Sequence, residues 1–166
     1  MRERPALFLG LLADQPELIA EVGVLRWRAS GSEGTPGPWI ESTAGDAGSD
    51  DLPITLVAMD LEGQVIGAIT LGPEDRSLGS SCAERAPWVV RIAVRAGERR
   101  CGVGRLMIAA VEELAREHGH GQLWVAACDE DVEFYRHCGW AQAGDTSGDT
   151  SGDTRLVLSK QLTVVG

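Results

Sequence analysis

An α/β domain built on a mixed sheet is what this sequence predicts, and three observations carry the prediction. Residues 54–71 read as a β-hairpin, residues 88–127 read as a β-α-β unit, and the balance of residue types suits one well-buried core. With 43% hydrophobic and 24% charged residues, 166 residues are enough to bury that core without disulfides or metals.

The elements follow in order. Ala6 to Ala13 reads as a first strand. Gln15 to Arg28 has Leu18, Val22 and Leu25 at helical spacing, with Pro16 in the first turn, where proline is tolerated. Residues 29–51 are rich in Gly, Ser, Pro and acids, with Trp27 and Trp39 beside or within them. That is long for a simple connection, so the expectation is a flexible loop or part of a binding site. Ile54 to Met59 is a strand, Asp60 to Gly63 the turn, and Gln64 to Leu71 the return strand.

After a second polar stretch, Trp88 to Val94 is strongly apolar and expected to be central. Gly102 to His118 is the best helix, with Val103, Leu106, Met107, Ala110, Val111 and Leu114 on one stripe, ended by Gly119. Gln122 to Ala127 is the next strand, parallel to the one before the helix. A short helix spans about Asp131 to His137. Asp145 to Thr154 repeats Asp-Thr-Ser-Gly and is expected to be a flexible low-complexity loop before a last strand, Arg155 to Ser159. Nothing divides the chain into two domains.

Charge and cysteines exclude several functions. A net charge of −10 argues against nucleic acid, whose phosphates need clustered cations. No apolar run approaches the roughly 20 residues of a membrane span, and no signal peptide is read at the start, so the expectation is a cytoplasmic protein with no membrane contact. Cys82, Cys101, Cys128 and Cys138 form no C-x-x-C pair, and free thiols without a metal are expected. Against the acidic background, Arg91 to Arg105 holds five arginines and one acid, Glu98. Such a basic strip suits a phosphorylated ligand, while the acidic remainder suits a cationic partner.

That strip lies in the segment that carries the chemistry, Val94-Arg-Ala-Gly-Glu-Arg99-Arg-Cys-Gly102-Val-Gly104-Arg-Leu. It runs from a strand end into a helix N-terminus, where backbone N–H groups lack partners and the helix dipole favours an anion. Gly102 and Gly104 let a pyrophosphate reach the backbone with no Cβ in the way. Two rival phosphate motifs fail. There is no Gly-Lys-Ser/Thr, and Met107 stands where a dinucleotide fingerprint needs its third glycine.

Arg99-Arg100-Cys101-Gly102-Val103-Gly104 resembles the Arg/Gln-x-x-Gly-x-Gly/Ala motif with which the GNAT superfamily of N-acetyltransferases binds acetyl-CoA. Arg91-Ile-Ala-Val94 looks like that family's splayed fourth strand, and Phe134-Tyr135-Arg-His-Cys-Gly139-Trp140 looks like its FYxxxGF signature. The resemblance covers about residues 54–162; the first 50 agree only in a strand followed by a helix. It implies one N-acetyltransferase domain over 1–166. The implied fold is a mostly antiparallel sheet of six to seven strands, splayed between strands 4 and 5, with helices on both faces.

The resemblance also implies roles. The backbone of Ile92 and Val94 would bind the pantetheine arm and polarise the thioester carbonyl. The amides from about Cys101 through Gly102, Val103, Gly104 and Arg105 to Leu106 would wrap the pyrophosphate, with Arg99 or Arg100 near phosphate. Tyr135 would lie beside the sulfur as general acid, a phenol of pKa near 10 suiting a thiolate of comparable basicity. Asp129, after the fifth strand, would contact CoA or the amine.

No motif marks the general base. Glu84 and Glu130 are candidates that read more simply as surface acids, and His118, His120 and His137 read as capping or solvent residues. Trp27, Trp39 and the acids at 46–51 are candidates for the side that receives an ammonium group. The implied reaction is acetyl transfer from acetyl-CoA to a primary amine of a small molecule, the amine being cationic before it reacts. A protein or peptide acetyltransferase, a non-catalytic acyl-CoA-binding module and a homodimer all stay open.

Overall fold

A computed structural model describes residues 7–73, 86–98, 102–146 and 155–163. Its strands are β1 (Phe8–Leu11), β2 (Ile54–Met59), β3 (Val65–Gly72), β4 (Trp88–Val94), β5 (Gln122–Ala127), β6 (Ala141–Thr146) and β7 (Arg155–Gln161). The helices are α1 (Ile19–Ser30), α2 (Gly37–Gly45), α3 (Val103–Glu117) and α4 (Val132–His137). The seven strands form one mostly antiparallel sheet in the order β1-β2-β3-β4-β5-β7-β6. The parallel pair is β4 with β5, registered at Trp88 opposite Trp124. Among the described residues, no helix is long and apolar enough to cross a membrane.

The chain gathers into two compact units, residues 1–71 with 91–111, and residues 72–90 with 112–166. In the first, the β2–β3 hairpin is organised by its turn. The Asp60 carboxylate accepts the N–H groups of Glu62 (3.0 Å) and Gln64 (2.9 Å), a local bond that aspartate supplies readily at turns. β2 and β3 are buried almost throughout. Hence their sequences read as unbroken apolar runs rather than alternating ones. Val57, Val65, Ala68 and Ala93 pack with Leu12, Val22 and Leu25 into the core of this unit.

In the second unit β5 alternates half-buried and buried residues along its length, and pairs with β7 from Gln122 opposite Gln161 to Ala127 opposite Leu156. Trp88 and Val157 centre its core, with Trp124 tilted against Trp88 at a ring separation of 6.5 Å. Glu112 points from the last turns of α3 into this unit. It is 5% exposed and ion-paired with Lys160, which also donates to the Cys138 carbonyl at 2.8 Å. A buried carboxylate needs such a partner.

Several expectations are corrected. The first strand is only Phe8–Leu11 and yields to a 3₁₀ turn, Leu12–Asp14; the helix after Pro16 becomes regular only at Ile19. The stretch 29–51, expected as a loop, contains α2. Its Gly, Pro and Thr residues are poor helix formers, and packing against α1 overrides that preference. β6 was not expected at all, because Ala-Gln-Ala-Gly-Asp-Thr has almost no strand-favouring residues; it is held by pairing with β7 from Ala141 opposite Ser159 to Thr146 opposite Arg155. Asp145 and Thr146 therefore belong to a strand rather than to the repeat loop, whose residues 147–154 lie outside the described residues.

The contact between α1 and α2 gives a measurable test. A Cβ at Gly23 would lie 2.6 Å from the Ile40 Cα, backbone that cannot swing aside. Helix propensity alone would make Gly23→Ala stabilising by up to about 1 kcal/mol. The overlap should win, with a net destabilisation of about 1–3 kcal/mol and a lower Tm in calorimetry. A Tm at or above wild type would show that the two helices are not in this contact.

Candidate active site

In the first unit the Arg-rich strip begins at Arg91 within β4 and runs on past the strand's end. The Arg95 N–H donates to the Ile66 carbonyl at 2.8 Å, while its guanidinium meets Glu98 at 2.9 Å and Asp60 at 3.7 Å. These contacts fix the exit from the strand against the β2–β3 turn. Gly102 then takes φ +86°, left-handed backbone that favours glycine, with open space where a Cβ would stand. The Leu106 N–H donates to the Gly102 carbonyl at 3.1 Å, the first bond of α3. The N–H groups of Val103, Gly104 and Arg105 precede that bond and have no acceptor within the helix. Val103 anchors the turn by burying its side chain, while Gly104 is half-buried and Arg105 exposed. Ile92 and Val94 are half-buried on β4. Arg99, Arg100 and Cys101 lie outside the described residues.

The same unit holds a polar network that the sequence did not announce. Arg26 is 3% exposed on α1. One of its terminal nitrogens donates to Thr43 Oγ1 (3.1 Å) and Asp46 Oδ2 (3.2 Å), the other to Thr70 Oγ1 (2.6 Å). The Thr55 hydroxyl bonds the Thr70 hydroxyl at 2.7 Å and lies 3.0 Å from the Asp46 carbonyl. Burial lowers the pKa of Arg26 to about 10, helped by Arg91 and opposed by Asp46, so it stays charged at neutral pH. Asp46 Oδ2 also accepts a 2.7 Å bond from Arg91, whose guanidinium reaches Ser42 as well. Arg91 is the one described non-glycine residue with positive φ, at +53°. That conformation costs an L-residue roughly 1–2 kcal/mol and must be held by its surroundings.

This network corrects one expectation. Asp46 was a candidate to receive an ammonium group, but its carboxylate already serves two guanidinium groups. Of the aromatic candidates beside it, Trp27 and Trp39 are half-buried. The Trp27 Nε1 is enclosed with no hydrogen-bond partner among the described residues, and the Trp39 carbonyl accepts from Thr43 at 2.7 Å.

In the second unit, Tyr135 is 4% exposed on α4. Its ring meets Phe134 edge-on at 5.2 Å and Trp140 at 5.6 Å, and its carbonyl accepts the Trp140 N–H at 3.0 Å. The FYxxxGF-like segment is thus a closed aromatic turn. Burial raises the phenol pKa above its ordinary value, and the nearby Asp131, Cys138 and Cys128 push the same way. The expected match between a phenol of pKa near 10 and a thiolate therefore does not hold; this phenol is a weaker acid and stays protonated. The Asp131 carboxyl is itself raised, by burial and by Glu130.

The remaining candidates are less enclosed. Asp129 and Glu130 are exposed after β5, and Glu84 lies outside the described residues. The His137 Nδ1 is 2.7 Å from the Glu133 carbonyl at the surface, and His118 and His120 follow the end of α3. Cys128 is a free thiol at the surface, and no group of three metal-ligating side chains occurs among the described residues.

By sequence, none of the curated proteins matches the chain. Solved structures do match its fold. An aminoglycoside 6'-N-acetyltransferase complexed with coenzyme A superposes with a TM-score of 0.75 at 12% identity, over 96% of this chain and 99% of the other. Ard1 from Thermoplasma volcanium gives 0.71 at 17% identity over 95% and 99%. A nourseothricin acetyltransferase gives 0.56 at 25% identity over 69% and 68%. The model of the family described as "Acetyltransferase (GNAT) family" matches residues 21–140, a span that includes most of α1, the Gly102 turn and the Tyr135 segment, and the chain belongs to that family.

Proposed function

We propose that this protein is an N-acetyltransferase, one catalytic domain over residues 1–166, that moves the acetyl group of acetyl-CoA directly to a primary amine of a small molecule. The observation that carries the reading is the left-handed turn at Gly102 opening α3, which leaves consecutive amides without an acceptor in the helix. Such amides, with the helix dipole behind them, suit a pyrophosphate. Arg99 or Arg100 would add charge near phosphate, and the Cys101 amide would extend the cradle. The small-molecule preference is supported by the likeness to a nourseothricin acetyltransferase. The net charge of −10 would draw in a cationic amine.

In the reaction the neutral amine attacks the thioester carbonyl carbon and a C–N bond forms. The carbonyl oxygen becomes an oxyanion, stabilised by backbone donors on β4 at Ile92 and Val94. The C–S bond then breaks, CoA leaves as thiolate, and the amine's extra proton passes to solvent or to a carboxylate. Tyr135 would act on the sulfur. With its pKa raised, proton transfer to thiolate is uphill, so the phenol would donate a hydrogen bond to the departing sulfur and complete the transfer only as the phenolate regains a proton from solvent, leaving CoA as the thiol. Asp129, exposed in the turn after β5, would contact CoA or the amine.

Two variants separate binding from chemistry. Gly104→Val should weaken CoA binding in calorimetry by at least about tenfold, since a branched side chain would crowd the amides. Unchanged affinity would remove the turn from the site.

Tyr135→Phe keeps the ring, so Tm should barely move while kcat falls by roughly 10²-fold, the low end for a general acid. Because the folded-state phenol pKa lies above its ordinary value, the acid form persists through neutral and moderately alkaline pH. The wild-type to Tyr135→Phe ratio in kcat should therefore stay flat from about pH 7 to 10. Wild-type turnover in that variant would return Tyr135 to a packing role. Acetyl-CoA binding without CoA release on a panel of amines and peptides would identify a non-catalytic acyl-CoA module instead.

A further inference from the structure

We infer that Asp46 is a positioning residue for acetyl transfer: by gripping the Arg91 guanidinium it holds β4 in the left-handed kink that aims the neighbouring Ile92 amide at the thioester carbonyl. The purpose assigned to the grip rests on the acetyltransferase reading above. The grip itself rests on geometry.

Arg91 is an L-residue at φ +53° inside a strand. Left alone, such a residue relaxes to negative φ, so something must hold it. Its guanidinium bonds Asp46 Oδ2 at 2.7 Å and also reaches Ser42 at the end of α2. Asp46 is in turn fixed from three sides. Arg26 donates to the same oxygen at 3.2 Å, the Thr55 hydroxyl bonds its carbonyl at 3.0 Å, and its N–H donates to the Thr43 carbonyl at 3.0 Å. Arg26 is buried and bonded to Thr43 and Thr70, so the anchor behind Asp46 belongs to the core.

The burial sequence along β4 records the kink. Trp88 and Val89 are buried in succession, Arg91 is exposed, and alternation resumes with Ile92 half-buried, Ala93 buried and Val94 half-buried. A left-handed residue in a strand produces such a slip, and it redirects the peptide group that follows. Here that peptide carries the Ile92 N–H. Asp46 touches neither CoA nor the amine in this account; it acts through the backbone.

The test uses the difference between alanine and glycine at position 91. Both Arg91→Ala and Arg91→Gly delete the guanidinium, but only glycine occupies φ +53° without being held. With acetyl-CoA and an accepted amine, Arg91→Ala should lose roughly tenfold or more in kcat, as expected for a slightly misplaced reacting group, with KM for acetyl-CoA little changed. Arg91→Gly should lose markedly less. Equal losses would overturn the inference, because they would mean the guanidinium matters for itself.

Asp46→Asn completes the cycle. It should lower kcat when residue 91 is arginine and have little further effect when residue 91 is glycine. Should Asp46→Asn fail to fold for want of a counter-charge to Arg26, the alanine–glycine pair still decides the matter. A readout free of turnover is the amide nitrogen shift of Ile92 in the ligand-free protein. It should move on Asp46→Asn in the arginine background and hold still in the glycine background. An Ile92 shift unmoved by Asp46→Asn overturns the grip. A moved shift in a protein that neither binds nor cleaves acetyl-CoA upholds the grip and overturns the enzymatic purpose assigned to it.

Discussion

A guanidinium buried at Arg26 is the constraint around which the first unit is arranged. A charge this enclosed is tolerable only if most of its hydrogens find partners; its two terminal nitrogens find theirs, while Nε has none among the described residues. Four segments supply those partners: α2 through Thr43, the following turn through Asp46, β3 through Thr70, and β2 indirectly through Thr55, which steadies Thr70. Poor helix-forming residues at 37–45 become a helix in this setting because the chain must pass at van der Waals distance from Gly23 and deliver a hydroxyl and a carboxylate to one point. The network thus specifies the geometry of the α1–α2 region, a role for buried polar groups distinct from raw stability.

Much of the architecture was legible because its signals are local and periodic. β2, β4 and β5 have the bounds their apolar runs suggest, and α3 differs from its expected range by one residue at each end. What failed needed information from elsewhere in the chain. β6 exists because β7 lies beside it, and α2 exists because α1 does. Arg26 occupies an apolar face of α1 one turn after Val22, where the helical pattern alone reads it as a surface residue. Its only sequence trace is that position, next to the buried Leu25. Glu112 was missed for the same reason: it sits among Ile108, Val111 and Ala115 on the buried side of α3, and its meaning depends on Lys160 from a distant strand.

Of the candidate site, the local turns were legible in the motifs and the electrostatics were not. Gly102 adopts a left-handed turn at the start of α3, and the Tyr135 segment closes on itself through Trp140. The state of the phenol could not be read from residue order, because burial and the nearby Asp131, Cys138 and Cys128 set it together. The loss of Asp46 as a cation receptor is similar. Its neighbours in sequence are Gly45 and Ala47, whereas its neighbours in space are two arginines.

The closed aromatic turn has an optical consequence. Tyr135 is the single tyrosine of the chain, and its ring lies edge-on to Trp140 at 5.6 Å. At that distance an excited phenol hands its energy to indole faster than it can emit, so the folded protein should glow as a tryptophan protein with its tyrosine dark. The one fluorophore that becomes bright when the fold opens and its tryptophans move away is also the proposed proton donor. Emission near the tyrosine band therefore reports unfolding around Tyr135 without any label.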